Sequence, residues 1–281
     1  MMKSDAGDAF TLPQASDFEA RLEALYQTLK AGFSMSDAGL VSVFWEGALI
    51  GRTRPEFAEK IGALPGASLS SGALTLPYGD LTDFGFAMRD KGLSQGWRGE
   101  KLDLVPLDHP GAAPVGTLER ALYRPLGART SAVHLAGRIR NPRDELDPVF
   151  LLGKRSAKKL VGPGLWDGLA AGMIQAGEAP LEALARESQE EAGLTAFDPV
   201  KAEFLACDHI SRPVRGGWMH EVSYAYATLL PGDFMPKPVD GEVDHFECVS
   251  AEEALNRIEG NLMMKEAAMT LLLSIRKLLR E

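Results

Sequence analysis

Hydrophobic residues recur at helical and at strand-like spacings along this chain of 281 residues. In residues 16–31 the apolar positions Phe18, Leu22, Leu25 and Leu29 follow helical intervals, and Ser16 and Glu19 have capping-box spacing, so this stretch predicts an amphipathic helix. Residues 40–51 predict two strands around a Glu46-Gly47 turn. Further elements are predicted in the same part of the chain: a helix at 55–61, a strand at 74–76, a helix capped by Asp80 or Thr82 and ending near 91, a strand at 102–107 and a helix at 117–127.

From Ser131 onward, strand-like runs prevail. Their pattern predicts a mixed sheet flanked by helices, an α-β-α arrangement, preceded by a smaller α+β module. We place the domain boundary near Gly127, which gives domains 1–127 and 128–281. The expected strands are 131–139, 148–156, 168–174, 201–210, 221–230 and 244–250, and the expected closing helices are 251–258 and 262–280.

The most informative stretch is residues 172–194, where charged residues follow a glycine-bounded loop and enter a helix. Pro180 suits a first helical turn, and Gly193 is typical of a helix end. At roughly 100° per residue, three acids share one narrow face and four apolar residues share another. The acids are Glu187, Glu190 and Glu191, and the apolar residues are Leu181, Leu184, Ala185 and Ala192.

Three like charges this close repel one another and destabilise a helix. A divalent cation would remove the conflict, and carboxylate ligands favour Mg²⁺, with Mn²⁺ as a substitute. Because Mg²⁺ commonly binds substrate phosphates as well, the site predicts a phosphorylated substrate. Arg186 either pairs with a carboxylate such as Glu178 to hold the loop or contacts substrate. The alternative for the acids is a solvated charged face.

The spacing of Gly172, Glu178, Arg186-Glu187, Glu190-Glu191 and Gly193 resembles the Nudix hydrolase box. The resemblance implies a Nudix fold for the second domain, with metal bound by the three helix acids and with Gly172, Glu178, Arg186 and Gly193 in structural roles. One position departs from the pattern, because Ser188 replaces a bulky aliphatic residue on the apolar face. A small residue there implies tight packing against a neighbour.

Segments outside the box extend the resemblance to nearly the whole chain. Residues 153–178 and 238–250 are similar to the Nudix domain fused to thiamine pyrophosphokinase in some fungi, and residues 92–106 and 117–127 resemble the module that precedes it. The resemblance implies hydrolysis of thiamine diphosphate, or of its oxidised or damaged analogues, to the monophosphate and phosphate, a metabolite-repair activity.

The expected chemistry is in-line attack of water on phosphorus, with Mg²⁺ neutralising charge and lowering the pKa of the water. The base is a box carboxylate or a remote acid. Glu242 is the best remote candidate and Asp244 its rival, although Glu242 can equally be an exposed turn residue.

Groups that would bind the substrate are available near the predicted strands. Arg155, Arg212 and Arg215 offer charge to phosphate, while Asp167 can accept a hydrogen bond from an aminopyrimidine. Trp166 can stack on a flat ring, with core packing as its alternative, and Trp218 can line the pocket from a loop edge. Lys158 and Lys159 are expected on the solvated surface. Trp97-Arg98 is expected to seal the interface between the domains, with contact to substrate as its alternative.

The composition of the chain limits the classes of partner that we expect it to bind. A net charge of −9 argues against nucleic acid or an anionic membrane as the main partner. No apolar run has the length of a membrane span or of a signal sequence, so we expect a soluble cytoplasmic protein. Cys207 and Cys248 lack metal-ligand spacing and are expected to be small buried residues. A homodimer is left open.

Three other functions compete with the thiamine diphosphate hypothesis. The same metal site would serve a hydrolase of nucleoside diphosphate derivatives such as ADP-ribose or a dinucleotide. A non-catalytic ligand sensor is a second alternative, against which the intact acid set argues, and isomerisation of a prenyl diphosphate is a third.

Overall fold

A computed structural model describes residues 12–109, 111–139, 149–195, 197–231 and 234–280. The first part of the chain forms a four-stranded sheet in the order β2-β1-β4-β3, a separate hairpin of β5 and β6, and short helices packed around them. Its elements are α1 (Leu12–Phe33), β1 (Val41–Trp45), β2 (Ala48–Thr53), α2 (Pro55–Gly62), β3 (Ser68–Ser70), β4 (Ala73–Thr75), α3 (Thr82–Asp90), β5 (Lys101–Leu104), β6 (Gly116–Glu119), a 3₁₀ turn (Arg120–Leu122) and α4 (Tyr123–Leu126).

The rest of the chain builds a seven-stranded mixed sheet whose main path is β11-β12-β7-β8-β13, with β10 paired to β7 and β9 to β8. Its elements are β7 (Arg129–Ile139), β8 (Val149–Arg155), β9 (Trp166–Asp167), β10 (Ala170–Met173), α5 (Pro180–Ala192), a 3₁₀ turn (Pro199–Lys201), β11 (Glu203–Val214), β12 (Gly217–Leu230), β13 (Val243–Ser250), α6 (Ala251–Glu259) and α7 (Lys265–Leu278).

Side chains that alternate along β8 separate two hydrophobic layers, as the period of a strand requires. Leu151 packs with Leu184 of α5 on one face of the sheet. Phe150 and Leu152 pack with α6 and α7 on the other face. The predicted α-β-α arrangement is therefore present, and α5 lies on one side of the sheet by itself with its acids next to β10.

Most predicted elements are present, and two predictions are wrong in detail. The first helix begins at Leu12, so position 16 lies inside it rather than at its cap. The predicted helix at 117–127 begins as strand β6, which pairs with β5, before the chain turns into α4. Cross-strand hydrogen bonds override the helical pattern there, because tertiary context outweighs a weak local preference.

Helix α1 packs on the second part of the chain, although it lies far from that part in sequence. Leu22 is buried in the hydrophobic cluster of α6 and α7, and Phe33 is buried with Ile210 and Met269. The strand that opens the large sheet begins at Arg129, close to the boundary predicted at Gly127. Apolar contacts thus cross that boundary, and the division into 1–127 and 128–281 stays a prediction.

The two cysteines were expected to be buried, and this prediction is wrong. Cys207 and Cys248 are free and exposed, because they lie on β11 and β13, the two edge strands of the large sheet. In the described ranges no helix combines the length and the hydropathy needed to span a bilayer.

Candidate active site

Helix α5 has the bounds that its sequence predicts. It starts at Pro180 and ends at Ala192, and Gly193 follows with a left-handed φ of 69°, a conformation that favours glycine. At the start of the helix, the Glu182 carboxylate accepts a hydrogen bond of 2.8 Å from the backbone N–H of Ala179. A helix fixed at both ends gives its acids a defined orientation.

Arg186 holds the loop that precedes the helix. Its guanidinium donates to both carboxylate oxygens of Glu178, at 2.9 and 2.8 Å, and to the carbonyl oxygen of Met173 at 3.0 Å. The predicted pairing of Arg186 with Glu178 is confirmed. Although burial opposes it, the hydrogen bonds and charge of Arg186 hold the pKa of Glu178 below its ordinary value.

Glu187 lies over the backbone of β10. A Cβ atom at Gly172 would stand 1.9 Å from its Cδ, so the carboxylate occupies space that only glycine leaves open. Arg186 donates to Glu187 Oε1 at 2.6 Å. Burial raises the pKa of Glu187 to about 7, even though Arg186 counteracts the effect. A buried carboxylate of this kind gains from a second positive charge.

Glu191 is the most buried acid of the helix, with 6% of its side chain exposed. It accepts a hydrogen bond of 2.9 Å from the backbone N–H of Ala171, and its Oε1 lies 3.6 Å from Nζ of Lys159. Burial, followed by the negative charge of Asp167, raises the pKa of Glu191 to about 8. Glu191 and Glu187 are therefore carboxylates kept inside the protein without a full complement of positive charge.

Glu242 approaches the same place from the turn before β13. It binds Nζ of Lys159 through Oε2 and Nη1 of Arg98, at 2.6 Å, through Oε1. Burial alone would raise the pKa of Glu242, but the bonds and charges of Lys159 and Arg98 outweigh it and lower the pKa to about 2. Asp240 caps the turn by accepting a 2.8 Å hydrogen bond from the Glu242 N–H.

We call Glu187, Glu191, Asp240 and Glu242 the acid cluster. Oxygen atoms of Glu191, Asp240 and Glu242 all lie within 4.8 Å of one another. Carboxylate oxygens at this separation are the ligands that Mg²⁺ and Mn²⁺ prefer. The donor set fits a divalent cation, since burial disfavours the charged forms of Glu187 and Glu191 until such a charge is supplied.

The remaining residues of the helix take different positions. Glu190 has 49% of its side chain exposed and lies 3.3 Å from Arg186, so it is on the rim of the acid cluster. Ser188 is fully buried, in agreement with the tight packing expected of it, and its hydroxyl has no hydrogen-bond partner among the residues that the structure describes. Asp244, the rival of Glu242, is exposed.

Arg155 and Asp167 are engaged with each other. Nη1 of Arg155 lies 2.5 Å from Oδ2 of Asp167, and Nη2 donates to the carbonyl oxygen of Val161 at 2.9 Å. The pair holds the loop between β8 and β9, and a ligand that used the same atoms of Arg155 or Asp167 would have to break the pair.

Both candidate tryptophans are buried. Trp166 is 8% exposed and packs in the cluster of α6 and α7, and its backbone pairs with Leu262 and Met264. Trp218 is buried and donates to Ser211 Oγ at 3.0 Å. Trp166 thus takes the core-packing alternative, and the Trp218 ring is held against β11 by its hydrogen bond to Ser211.

The arginines predicted on β11 and the turn after it lie apart from α5. Arg212 binds the buried Glu266 of α7 at 2.6 Å. Arg215 is exposed in the turn between β11 and β12. The structure therefore brings Glu191 of the helix together with Glu242, and Arg212, Arg215 and Trp218 are not part of that group.

Sequence reasoning missed three members of the site. Lys159 is not a solvated surface residue, since only 13% of its side chain is exposed and it contacts two acids. Arg98 lies at the interface of the two parts of the chain, as expected, and in addition reaches Glu242. Asp240 completes the group of acids. The charged residues at 154–159 and 238–244, together with the resemblance of 153–178 and 238–250 to Nudix domains, were the signals that pointed to the segments of Lys159 and Asp240.

Comparison with known proteins agrees with this geometry. Residues 130–269 match the family model described as "NUDIX domain". Two relatives from Arabidopsis thaliana are "Nudix hydrolase 24, chloroplastic", 29% identical over 63% of this chain and 47% of its own length, and "Nudix hydrolase 20, chloroplastic", 30% identical over 63% and 46%. The chain thus spans about half the length of these curated relatives.

Among solved structures, DR0079 from Deinococcus radiodurans is similar to this chain with a TM-score of 0.44 and 22% identity, over 62% of this chain and 97% of that one.

Proposed function

The chain carries a Nudix domain over residues 130–269, and from this premise we propose that the protein is a Mg²⁺-dependent hydrolase of an organic diphosphate. The substrate is thiamine diphosphate or an oxidised or damaged analogue of it, and the products are the monophosphate and inorganic phosphate. The observation that carries the proposal is the acid cluster, in which buried Glu191 meets Asp240 and Glu242 and the charge of Glu187 acts on Glu191.

Different residues of this chain have different roles in the proposed reaction. Glu187, Glu191, Asp240 and Glu242 would hold the cation, with Glu190 available at the rim. When bound, the cation supplies charge to the diphosphate oxygens and lowers the pKa of the attacking water. Gly172 makes room for Glu187, and Arg186 with Glu178 keeps the loop rigid, so that the acids need no reorganisation when substrate binds.

The base that receives the proton from water is one of these carboxylates. In the cation-free arrangement Lys159 and Arg98 keep Glu242 ionised, so its strength as a base depends on release from these two partners. Without the cation, burial raises the pKa of Glu191 to about 8, so this carboxyl would need the bound cation to be ionised at neutral pH.

The thiamine part of the proposal rests on the resemblance of residues 153–178 and 238–250 to the thiamine-associated Nudix domains. Since Trp166 and Trp218 are buried and Asp167 is paired with Arg155, the thiamine rings would bind outside these three residues. A cleft of about 500 Å³ lined by Arg98, Glu100, Lys101 and Gln175 lies where the first module meets the loop before α5 and offers room for an organic group.

The experiment is a phosphate-release assay over a panel: thiamine diphosphate, its oxidised analogues, ADP-ribose and a dinucleotide, each with Mg²⁺ and with EDTA. We expect Mg²⁺-dependent release of phosphate and the monophosphate from the thiamine compounds, fastest from the oxidised ones. AMP from ADP-ribose with inert thiamine compounds would replace the proposal with the nucleotide alternative. Inert substrates throughout would contradict hydrolysis.

A further inference from the structure

Lys159 occupies an unusual place for a lysine. Its loop follows β8 and folds back on itself, with the carbonyl oxygen of Val161 bound by the Arg155 guanidinium and the Ser156 N–H bound to the Glu242 carbonyl oxygen at 2.9 Å. The ammonium group lies between Glu191 and Glu242. The loop is anchored at several points, so this placement follows from the fold.

Lys159 contacts Glu191 and Glu242. These are also two of the three acids whose oxygen atoms lie close enough together to bind a cation. A divalent cation and an ammonium group would therefore compete for the same oxygens, and two positive centres repel each other at such a distance. Binding of the cation must release Lys159 from at least one of its partners. Arg98, which binds the other oxygen of Glu242, can keep that carboxylate oriented meanwhile.

The released ammonium remains on a flexible four-carbon stem beside the site. The nearest new negative charge is the diphosphate, for which lysine is a suitable point-charge partner. We infer that Lys159 neutralises the acid cluster while the cation is absent and transfers its charge to a phosphate group of the substrate once the cation binds. The inference deepens the proposed function and rests on it.

The first arm of the test measures cation binding without substrate. The variants are Lys159→Met, Lys159→Gln, which keeps a hydrogen-bond donor without the charge, and the matched control Lys158→Met, whose side chain is exposed. We expect calorimetry with Mn²⁺ to show binding tighter by roughly fivefold or more in both Lys159 variants and unchanged in the control. Equal affinity in wild type and Lys159→Gln would overturn the neutralising role.

The second arm uses methylenediphosphonate, a diphosphate that cannot be hydrolysed, added to protein saturated with Mg²⁺. We expect it to bind at least roughly tenfold more weakly to Lys159→Gln than to wild type, because a charge-assisted contact is lost, while Lys158→Met binds normally. Unchanged affinity would overturn the transfer to phosphate. Circular dichroism verifies the fold of each variant. If Lys159→Met does not fold, the result for Lys159→Gln decides the test.

Neither arm depends on turnover, so failure of the inference is separable from failure of the proposed function. A wild-type protein that hydrolyses nothing but shows both binding changes would contradict the proposed activity and support the role of Lys159. An active wild-type protein with unchanged binding in the variants would support the proposed activity and contradict the role of Lys159.

Discussion

The carboxylate of Glu187 lies directly over Gly172, in space where a Cβ atom at residue 172 would stand 1.9 Å from Cδ. The contact joins β10 to α5 and explains why this position of β10 is a glycine. Any side chain here pushes the Glu187 carboxylate out of its present position.

Gly172→Ala should therefore lower kcat/KM by about 10²-fold, the usual cost of a misplacement near 1 Å. The fold should survive, because the obstacle is a side chain that can turn toward solvent. The matched control is Gly32→Ala, at a helical glycine with open space around it, which should leave activity intact. Full activity of Gly172→Ala would show that the position of Glu187 does not matter.

Arg186→Met should destabilise the protein, because Glu178 and the Met173 carbonyl lose their donor. We expect the free energy of unfolding to fall by about 1.5–3 kcal/mol, measured by urea denaturation. Arg280→Met, at an exposed position near the chain end, is the control. In a double-mutant cycle with Glu178→Gln the two effects should be less than additive, and full additivity would contradict the pairing.

The pH dependence of stability follows from Glu187 and Glu191. Their pKa values are raised from 4.5 to about 7 and about 8, so the folded protein binds protons that the unfolded chain releases. In EDTA these two groups should therefore make the free energy of unfolding fall as pH rises from about 4.5 to about 8. His134 and His220, whose pKa values burial lowers, act in the opposite direction below about pH 6.5, so the prediction concerns the difference between wild type and a variant without the two acids.

Saturating Mg²⁺ should oppose this loss, since the cation stabilises the ionised forms, and its binding should release more protons below pH 7 than above pH 8. Thermal unfolding across this pH range checks the prediction. Glu221, whose pKa burial raises to about 7, acts in the same direction, so Glu187→Gln with Glu191→Gln should flatten only part of the slope. An unaltered slope in that double variant would contradict the assignment.

Leu22→Ala tests whether α1 belongs with the large sheet. Leu22 is 2% exposed and packs against α6 and α7, so the substitution should lower the free energy of unfolding by about 2–5 kcal/mol. Gln27→Ala, on the exposed side of the same helix, should change it little. A negligible effect of Leu22→Ala would mean that α1 is not part of that core.

Helix α5 was predictable to the residue because its signals are local: a proline at its start, a glycine at its end and apolar positions at helical spacing. The pairing of Arg186 with Glu178 could be anticipated for the same reason. By contrast, Arg98 and Glu242 are 144 residues apart, and their contact depends on how the first module docks. Lys159 meets Glu242 only because β13 pairs with β8 so that Val243 lies opposite Arg155.

Burial and strand pairing explain the remaining differences between the predicted and the observed positions. The sequence around Trp166 is typical of a binding residue in an exposed loop. Its strand is nevertheless covered by the segment that leads into α7. Residues 117–119 have a helical pattern but complete a hairpin with β5. In both cases a partner distant in sequence determines the outcome, which no local pattern records.

We expect the acid cluster to bind a divalent cation that diphosphate hydrolysis requires. The most direct test of this claim is a Mg²⁺ titration of phosphate release for wild type, Glu191→Gln and Glu182→Gln, an exposed acid on the same helix whose amide form can still accept the cap hydrogen bond. We predict saturable Mg²⁺ dependence in wild type and Glu182→Gln, and activity lowered at least about 10²-fold in Glu191→Gln. Equal activity and equal Mg²⁺ dependence in all three proteins would contradict the claim.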